Sequence, residues 1–189
     1  VSLPHAAQPG LLSFSLFSSD TALLDEVKAA LAMKYGEPLA PVCRYPFVHT
    51  PYYEAEMGAG LEKQLVLFQA LFPREGLARA KVDGFELEKA WSTDGHGLKR
   101  RVNLDPGFLA LEHFLLLTFK PRAHKIYLAD GVYADLQLMY RKESQKYEGL
   151  PWTFKDYLGS EVAAYLVRGR ALLHAELGAL DRLRVGPKT

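Results

Sequence analysis

Polar residues of opposite charge recur beside the ends of apolar segments in this 189-residue chain. Tyr52, Tyr53, Glu54 and Glu56 stand just before Met57-Gly58, and Lys99, Arg100 and Arg101 precede Asn103 and Asp105. Lys120, Arg122, His124 and Lys125 lead into a β-rich stretch carrying Asp135, and Trp152, Thr153, Asp156 and Tyr157 follow. Cations and carboxylates gathered at strand ends suit an anion site, with or without a metal. Guanidinium and ammonium groups make charge-assisted hydrogen bonds to phosphate or carboxylate, while carboxylates position a cation or a water. In such a site Arg101 and Lys120 hold the anion, and Tyr53, Asn103 and Asp135 complete the ligand contacts. Glu56 and Asp105 position a water or a cation such as Mg²⁺. His124, kept neutral by Lys120 and Arg122 beside it, carries the proton. Hydrolysis or phosphoryl transfer is the chemistry these groups allow.

Each residue also has a purely structural reading. Lys99 to Arg101 reads as a solvated run before a strand, and Asp105 before Pro106-Gly107 as a turn residue bonding its own backbone. Glu54 and Glu56, two apart on a strand, read as a wet face. Lys81 and Glu88 pair on one helix, Trp152 covers the core, and Cys43 packs as an inert buried thiol. Whether the protein is an enzyme therefore stays open. The alternative is a non-catalytic module that binds protein or RNA, with Tyr127, Tyr133 and Tyr140 interleaved among Lys125 and Arg141 as its stacking surface.

Several classes of chemistry lack their signatures. No G-x-x-x-x-G-K-[ST] is present, so no P-loop nucleotide site is expected. G-x-G-x-x-G, G-x-S-x-G and H-E-x-x-H are missing as well, and the histidines lack ligand spacing. With 23 Lys and Arg against 22 Asp and Glu, the net charge of +1 argues against strong nucleic-acid binding. A composition 49% hydrophobic and 24% charged excludes a disordered or collagen-like chain. Cys43 is the only cysteine, which favours a reducing, cytoplasmic setting. Val1 to Ser19 carries no charge, but Pro4, His5, Pro9 and Gly10 interrupt it, unlike a signal peptide. No run of ~18 apolar residues predicts a spanning helix, so a soluble protein with no membrane partner is expected.

The elements that must position these groups alternate between strand and helix. Leu12, Phe14 and Leu16 alternate with Ser13 and Ser15, a strand with one buried face. Ser18, Ser19 and Asp20 offer N-cap oxygens to a helix whose apolar stripe is Leu23, Leu24, Val27, Leu31 and Tyr35, stopped by Gly36 and Pro38. Val42 to Tyr53, broken by Pro46 and Pro51, reads as an edge strand. Leu61 to Phe72 reads as a strand, and Arg74 to Trp91 as a helix with Leu77, Lys81, Phe85 and Glu88 on one face. Gly84 weakens that helix by roughly 1 kcal/mol. Arg101 to Leu104 is a short strand entering a turn at Asp105-Pro106-Gly107, and the second half of Phe108 to Phe119 reads as another strand, with a helix as the alternative. Asp130-Gly131 between β-rich runs signals a hairpin, in whose second strand Tyr133, Asp135, Gln137 and Arg141 form a polar face. Lys142 to Pro151 is a polar loop. Ser160 caps a last helix of about 30 Å, and the end beyond Val185 frays.

At ~150 residues per domain the length fits one domain, residues 1–189, with an ordered core of about 11–183. Its class is α+β: a mostly antiparallel sheet with helices gathered on one face. The first half is ferredoxin-like (split βαβ), extended by a C-terminal hairpin and covered by the long last helix.

Phe47, Thr50, Tyr52-Tyr53, Glu56-Met57-Gly58, Val102-Asn103-Leu104-Asp105-Pro106-Gly107, Thr118, Lys120, His124, Ile126-Tyr127-Leu128, Gly131, Tyr133-Ala134, Trp152-Thr153 and Asp156-Tyr157 carry a resemblance. In these the chain, from about Leu11 to Leu177, resembles a bacterial family catalogued as a domain of unknown function, number four-four-one-six. The resemblance implies a small soluble bacterial protein without an established activity. Some relatives carry a GTP-binding label, but this chain has no phosphate loop and no N-K-x-D, and only Asp94-Gly95-His96-Gly97 matches D-x-x-G. The chain departs from the family pattern around Lys81, where Gly84-Phe85 precedes Glu88, and at Asp135, Gln137 and Phe154-Lys155.

Overall fold

A computed structural model describes residues 3, 6–96 and 99–185. Gly97 of the D-x-x-G match, and residues 186–189 at the end expected to fray, lie outside the described residues. The elements run β1 (Gly10–Ser18), α1 (Thr21–Tyr35), β2 (Cys43–Pro46), α2 (Glu54–Met57), β3 (Glu62–Phe72), α3 (Leu77–Ala90), β4 (Asn103–Leu109), β5 (His113–Thr118), β6 (Lys125–Ala129), β7 (Val132–Arg141), β8 (Lys146–Gly149) and α4 (Ser160–Val185). All eight strands join one sheet, in the order β2-β3-β1-β4-β5-β7-β6 with β8 also on β7, and every pairing is antiparallel.

The first helix begins as its sequence directs: the Asp20 carboxylate accepts the Leu23 N–H at 3.1 Å, and Gly36 ends the helix at a positive φ of 90°. Asp130 and Gly131, at φ 52° and 75°, make the primed turn of the β6–β7 hairpin. α1 and α3 bury Leu12, Phe14, Leu16, Val66, Phe68, Leu104 and Leu117 on one face of the sheet. α4 buries Leu11, Leu65, Leu67, Leu109, Phe114 and Leu138 on the other.

Helices on both faces correct the one-faced arrangement and explain why β1 is buried along its whole length. Ser13 and Ser15, expected to face water, are enclosed, and the Ser15 hydroxyl bonds the Tyr157 hydroxyl. The packing is tight enough to need glycine inside α3. A Cβ at Gly84 would stand 3.2 Å from the Phe14 ring and 3.3 Å from Pro106, so the residue that weakens the helix locally permits its close approach.

Further corrections bear on the site. Glu54 and Glu56 lie on the single helical turn α2, not on a strand face. A register shift between Phe114 and Leu115 leaves Gln137 as an extra residue in β7, so Leu138 joins the α4 core and Gln137 is buried rather than part of a wet face. Lys146 to Gly149, within the expected loop, adds strand β8.

Asp105-Pro106-Gly107 is not a turn: β4 runs straight through it. β4 stays paired with β1 from Asn103 to Leu109, but pairs with β5 only through Gly107, Phe108 and Leu109. β5 meanwhile stays on β7 as far as Thr118. The two strands therefore part at Pro106. In an antiparallel ladder alternate residues turn both backbone groups to the same neighbour. The Leu104 N–H donates to Glu88 Oε1 at 2.5 Å, and its carbonyl accepts from Lys81 Nζ at 3.2 Å, so both groups face the opening rather than β1. Pro106, two residues on, turns the same way, and its missing N–H costs no ladder bond. Beyond it the sheet closes hard: a Cβ at Gly107 would sit 2.7 Å from the Leu115 carbonyl.

Candidate functional site

The parting of β4 from β5 opens a cleft of two connected hollows. One, of about 420 Å³, lies under α3 and takes Lys81, Phe85 and Glu88 from it, Asn103 and Asp105 from β4, Thr118 to Lys120 from the end of β5, and Lys125 and Asp135 from the hairpin. The other, of about 500 Å³, is aromatic: Phe17, Phe47, Tyr52, Phe154 and Tyr157 line it with Lys63 and Asp156. Tyr53, Asp105, Leu116, Lys120 and Phe154 belong to both and form the waist between them.

A hydrogen-bonded chain of charge runs along the α3 side. Arg100 grips Glu56 with Nε at 2.8 Å and Nη2 at 2.7 Å, a fork-to-fork pair, and its Nη1 donates to Asn103 Oδ1 at 2.6 Å. Asn103 Nδ2 in turn donates to Asp105 Oδ2 at 2.7 Å, and Lys81 Nζ to Asp105 Oδ1 at 3.2 Å. Burial raises the Asp105 pKa, but Lys81 and then Lys63 outweigh it and hold the carboxyl below its ordinary value. The bond from Arg100 does the same for Glu56. Glu88 goes the other way. Burial pushes its carboxyl up to about 7 against the opposing pull of Lys81, so it exchanges a proton near neutrality.

On the aromatic side Lys63 Nζ meets Asp156 Oδ2 at 2.5 Å, and the Tyr45 hydroxyl donates to the same oxygen at 3.3 Å. The amine stands 4.5 Å from the Tyr157 ring centroid and 5.1 Å from that of Phe47. At the hairpin, Asp135 is 2% exposed; Lys125 Nζ holds its Oδ2 at 2.9 Å, while its Oδ1 has no hydrogen-bond partner among the described residues.

The cleft under α3 brings together Tyr53, Glu56, Asn103, Asp105, Lys120 and Asp135, six of the eight residues expected at the site. It does not include Arg101 or His124. The Arg101 guanidinium turns outward to Asp20 at 3.0 Å, in an adjoining surface depression with Ser19 and Lys99 that shares Glu56 and Arg100 with the cleft. The His124 ring stacks on Trp152 at 4.9 Å, outside both hollows, with Nε2 3.4 Å from Asp135 Oδ1. Asn103 and Asp105 share a face through strand alternation, but β4 begins at Asn103, so the alternation does not reach back to Arg101. Arg100 supplies the guanidinium of the cleft instead. Lys63, Lys81, Glu88, Arg100, Lys125, Lys155 and Asp156 are charged lining residues to which the sequence reading gave no role in the site. The one legible signal among them is the spacing of Lys81, Phe85 and Glu88 on a helix face.

Four of the five carboxyl groups lining the cleft already face a cation: Glu56 faces Arg100, Asp105 Lys81, Asp135 Lys125 and Asp156 Lys63, while the fifth, Glu88, accepts the Leu104 N–H. Among the described residues no group of three or more His, Cys, Asp or Glu is placed to hold a metal ion, so the donor set does not fit Mg²⁺. Lys120 and Lys155 differ from the other cations of the cleft in being exposed and in having no carboxylate partner among the described residues, and of the two Lys120 stands at the waist. No helix among the described residues is long and apolar enough to cross a membrane.

No curated protein and no solved structure matches the chain. A family model does, over residues 8–172, and on that match the chain belongs to the family described as Domain of unknown function (DUF4416).

Proposed function

We propose that the protein binds a small phosphate- or carboxylate-bearing molecule in the cleft between β4 and β5, with Lys120 as the group that takes the anion. The observation that carries this reading is the contrast in charge pairing. Lys63, Lys81, Lys125 and Arg100 each spend their charge on a carboxylate, whereas Lys120, at the waist where both hollows meet, has no carboxylate partner among the described residues. Lys81 lies across the waist on Asp105 and adds positive potential from a site shielded from water. A concave cleft lined by charged groups favours this reading over a flat interaction surface whose polar side chains merely fix turns. Within the cleft we assign proton exchange to Glu88, because it lines the hollow and His124 does not.

A thermal-shift screen with inorganic phosphate, phosphorylated metabolites and short carboxylates tests the reading. Anions are expected to raise the melting temperature of the wild type, and Lys120→Ala to abolish that rise while leaving the unliganded melting point unchanged. An anion-induced rise that survives Lys120→Ala would place the ligand elsewhere.

A further inference from the structure

We propose that the ligand is an aromatic acid, its ring seated in the aromatic hollow and its phosphate or carboxylate at Lys120. This rests on the anion-binding reading above and adds what the rest of the molecule must be.

The polarity of the aromatic hollow carries the inference. Its deep polar groups are satisfied by one another. Lys63 and the Tyr45 hydroxyl both bond Asp156, the Tyr157 hydroxyl bonds Ser15, and Thr153 Oγ1 bonds the Gln137 carbonyl while accepting the Leu150 N–H. A polar substituent entering there would compete with these bonds for its partners, so its desolvation is poorly offset. What the hollow offers instead is ring surface. Phe47, Tyr52 and Tyr53 come from the segment after β2, and Phe154 comes from the segment before α4. Tyr52 and Phe154 remain 71% and 51% exposed. Large rings left open beside a hollow mark a binding surface more often than chance exposure does. At about 500 Å³ the hollow lies within the range of small-molecule sites. Among the described residues of the cleft, unpaired ammonium groups stand on Lys120, at the waist, and on Lys155, at the wall of the aromatic hollow, and the Asp105 carboxylate opens to the waist. The ligand that matches this lining has an apolar planar body and an acidic end. Rings stack edge-to-face and offset on aromatic walls in a way that an alkyl chain cannot reproduce.

Calorimetric titration of the whole chain with four probes tests this: inorganic phosphate, phenyl phosphate, n-hexyl phosphate and phenol. Phenyl phosphate is expected to bind about tenfold or more tightly than inorganic phosphate, and more tightly than hexyl phosphate. Phe154→Ala, at an exposed position, is expected to remove most of that gain without changing the affinity for inorganic phosphate. Equal affinities for phenyl phosphate and inorganic phosphate would overturn the aromatic inference and leave the anion reading standing, as would a hexyl ester that binds as well as the phenyl one. Phenol binding as tightly as phenyl phosphate would overturn the anion reading instead. Failure of all four probes to bind would overturn both.

Discussion

Lys63 and Lys81 are both amines taken out of water beside an aspartate, and their surroundings differ in one decisive way. The Lys63–Asp156 pair is closed: the side chains are 6% and 5% exposed, the contact is 2.5 Å, and rings of Phe47 and Tyr157 cover the amine. The Lys81–Asp105 pair is open: the contact is 3.2 Å, and although Lys81 is only 8% exposed, 36% of the Asp105 side chain faces the cleft. A closed pair has spent its charge on the framework. An open pair keeps a polarised carboxylate oxygen turned to the cleft. Chemically identical partners thus do different work according to where the sheet is whole and where it parts.

The largest test of that contrast is Asp156→Ala. Stranding the Lys63 ammonium in its aromatic box is expected to cost about 3–5 kcal/mol in urea unfolding. A loss below about 1 kcal/mol would mean that water reaches the amine and that the pair is not closed. Next comes Glu88. Its folded pKa of about 7 lies above the ordinary 4.5, so the native state binds the proton more tightly than the unfolded chain does. The protonated acid's contribution is full below 4.5 and is lost as pH rises toward 7. Glu88→Gln keeps an acceptor for the Leu104 N–H but removes the titration. Relative to wild type it is expected to gain about 1–3 kcal/mol between pH 5 and pH 8. Parallel stability curves over that range would refute the assignment. Asp105→Ala should cost less than the change at Asp156, about 1–2 kcal/mol, because Lys81 keeps its bond to the Leu104 carbonyl and the lost carboxylate was partly exposed to the cleft. An equal loss at the two aspartates would erase the distinction drawn here. Lys120→Ala, the smallest, should change stability by no more than about 0.5 kcal/mol.

The frame of the molecule was legible where local rules act alone. Asp20 announces a helix start, Asp130-Gly131 a hairpin, and the apolar run of Leu65 to Phe68 a buried strand. Local rules failed where a distant segment decides. Ser13 and Ser15 alternate like a solvent-facing row, yet α4 returns from far along the chain to cover them. Asp105-Pro106-Gly107 has turn chemistry, yet β1 holds it extended and the parting from β5 removes the objection to proline. For the cleft, Asn103 and Asp105 were readable from strand alternation. Arg100 was not separable from its neighbours Lys99 and Arg101, because choosing among them requires the path of the chain just before β4. Lys81 and Glu88 share a helix face in the sequence, but nothing there reveals that this face is aimed at the backbone of Leu104.

That last contact has a consequence for how the protein survives in a crowded solution. A strand with bare amide groups invites a foreign chain to add itself, the first step toward aggregation. Where β4 leaves its neighbour, the two docking atoms of Leu104 are already plugged by the carboxyl of Glu88 and the amine of Lys81. An intruding peptide would have to evict both. At Leu104 the edge that β4 turns to the cleft is therefore closed to strand addition.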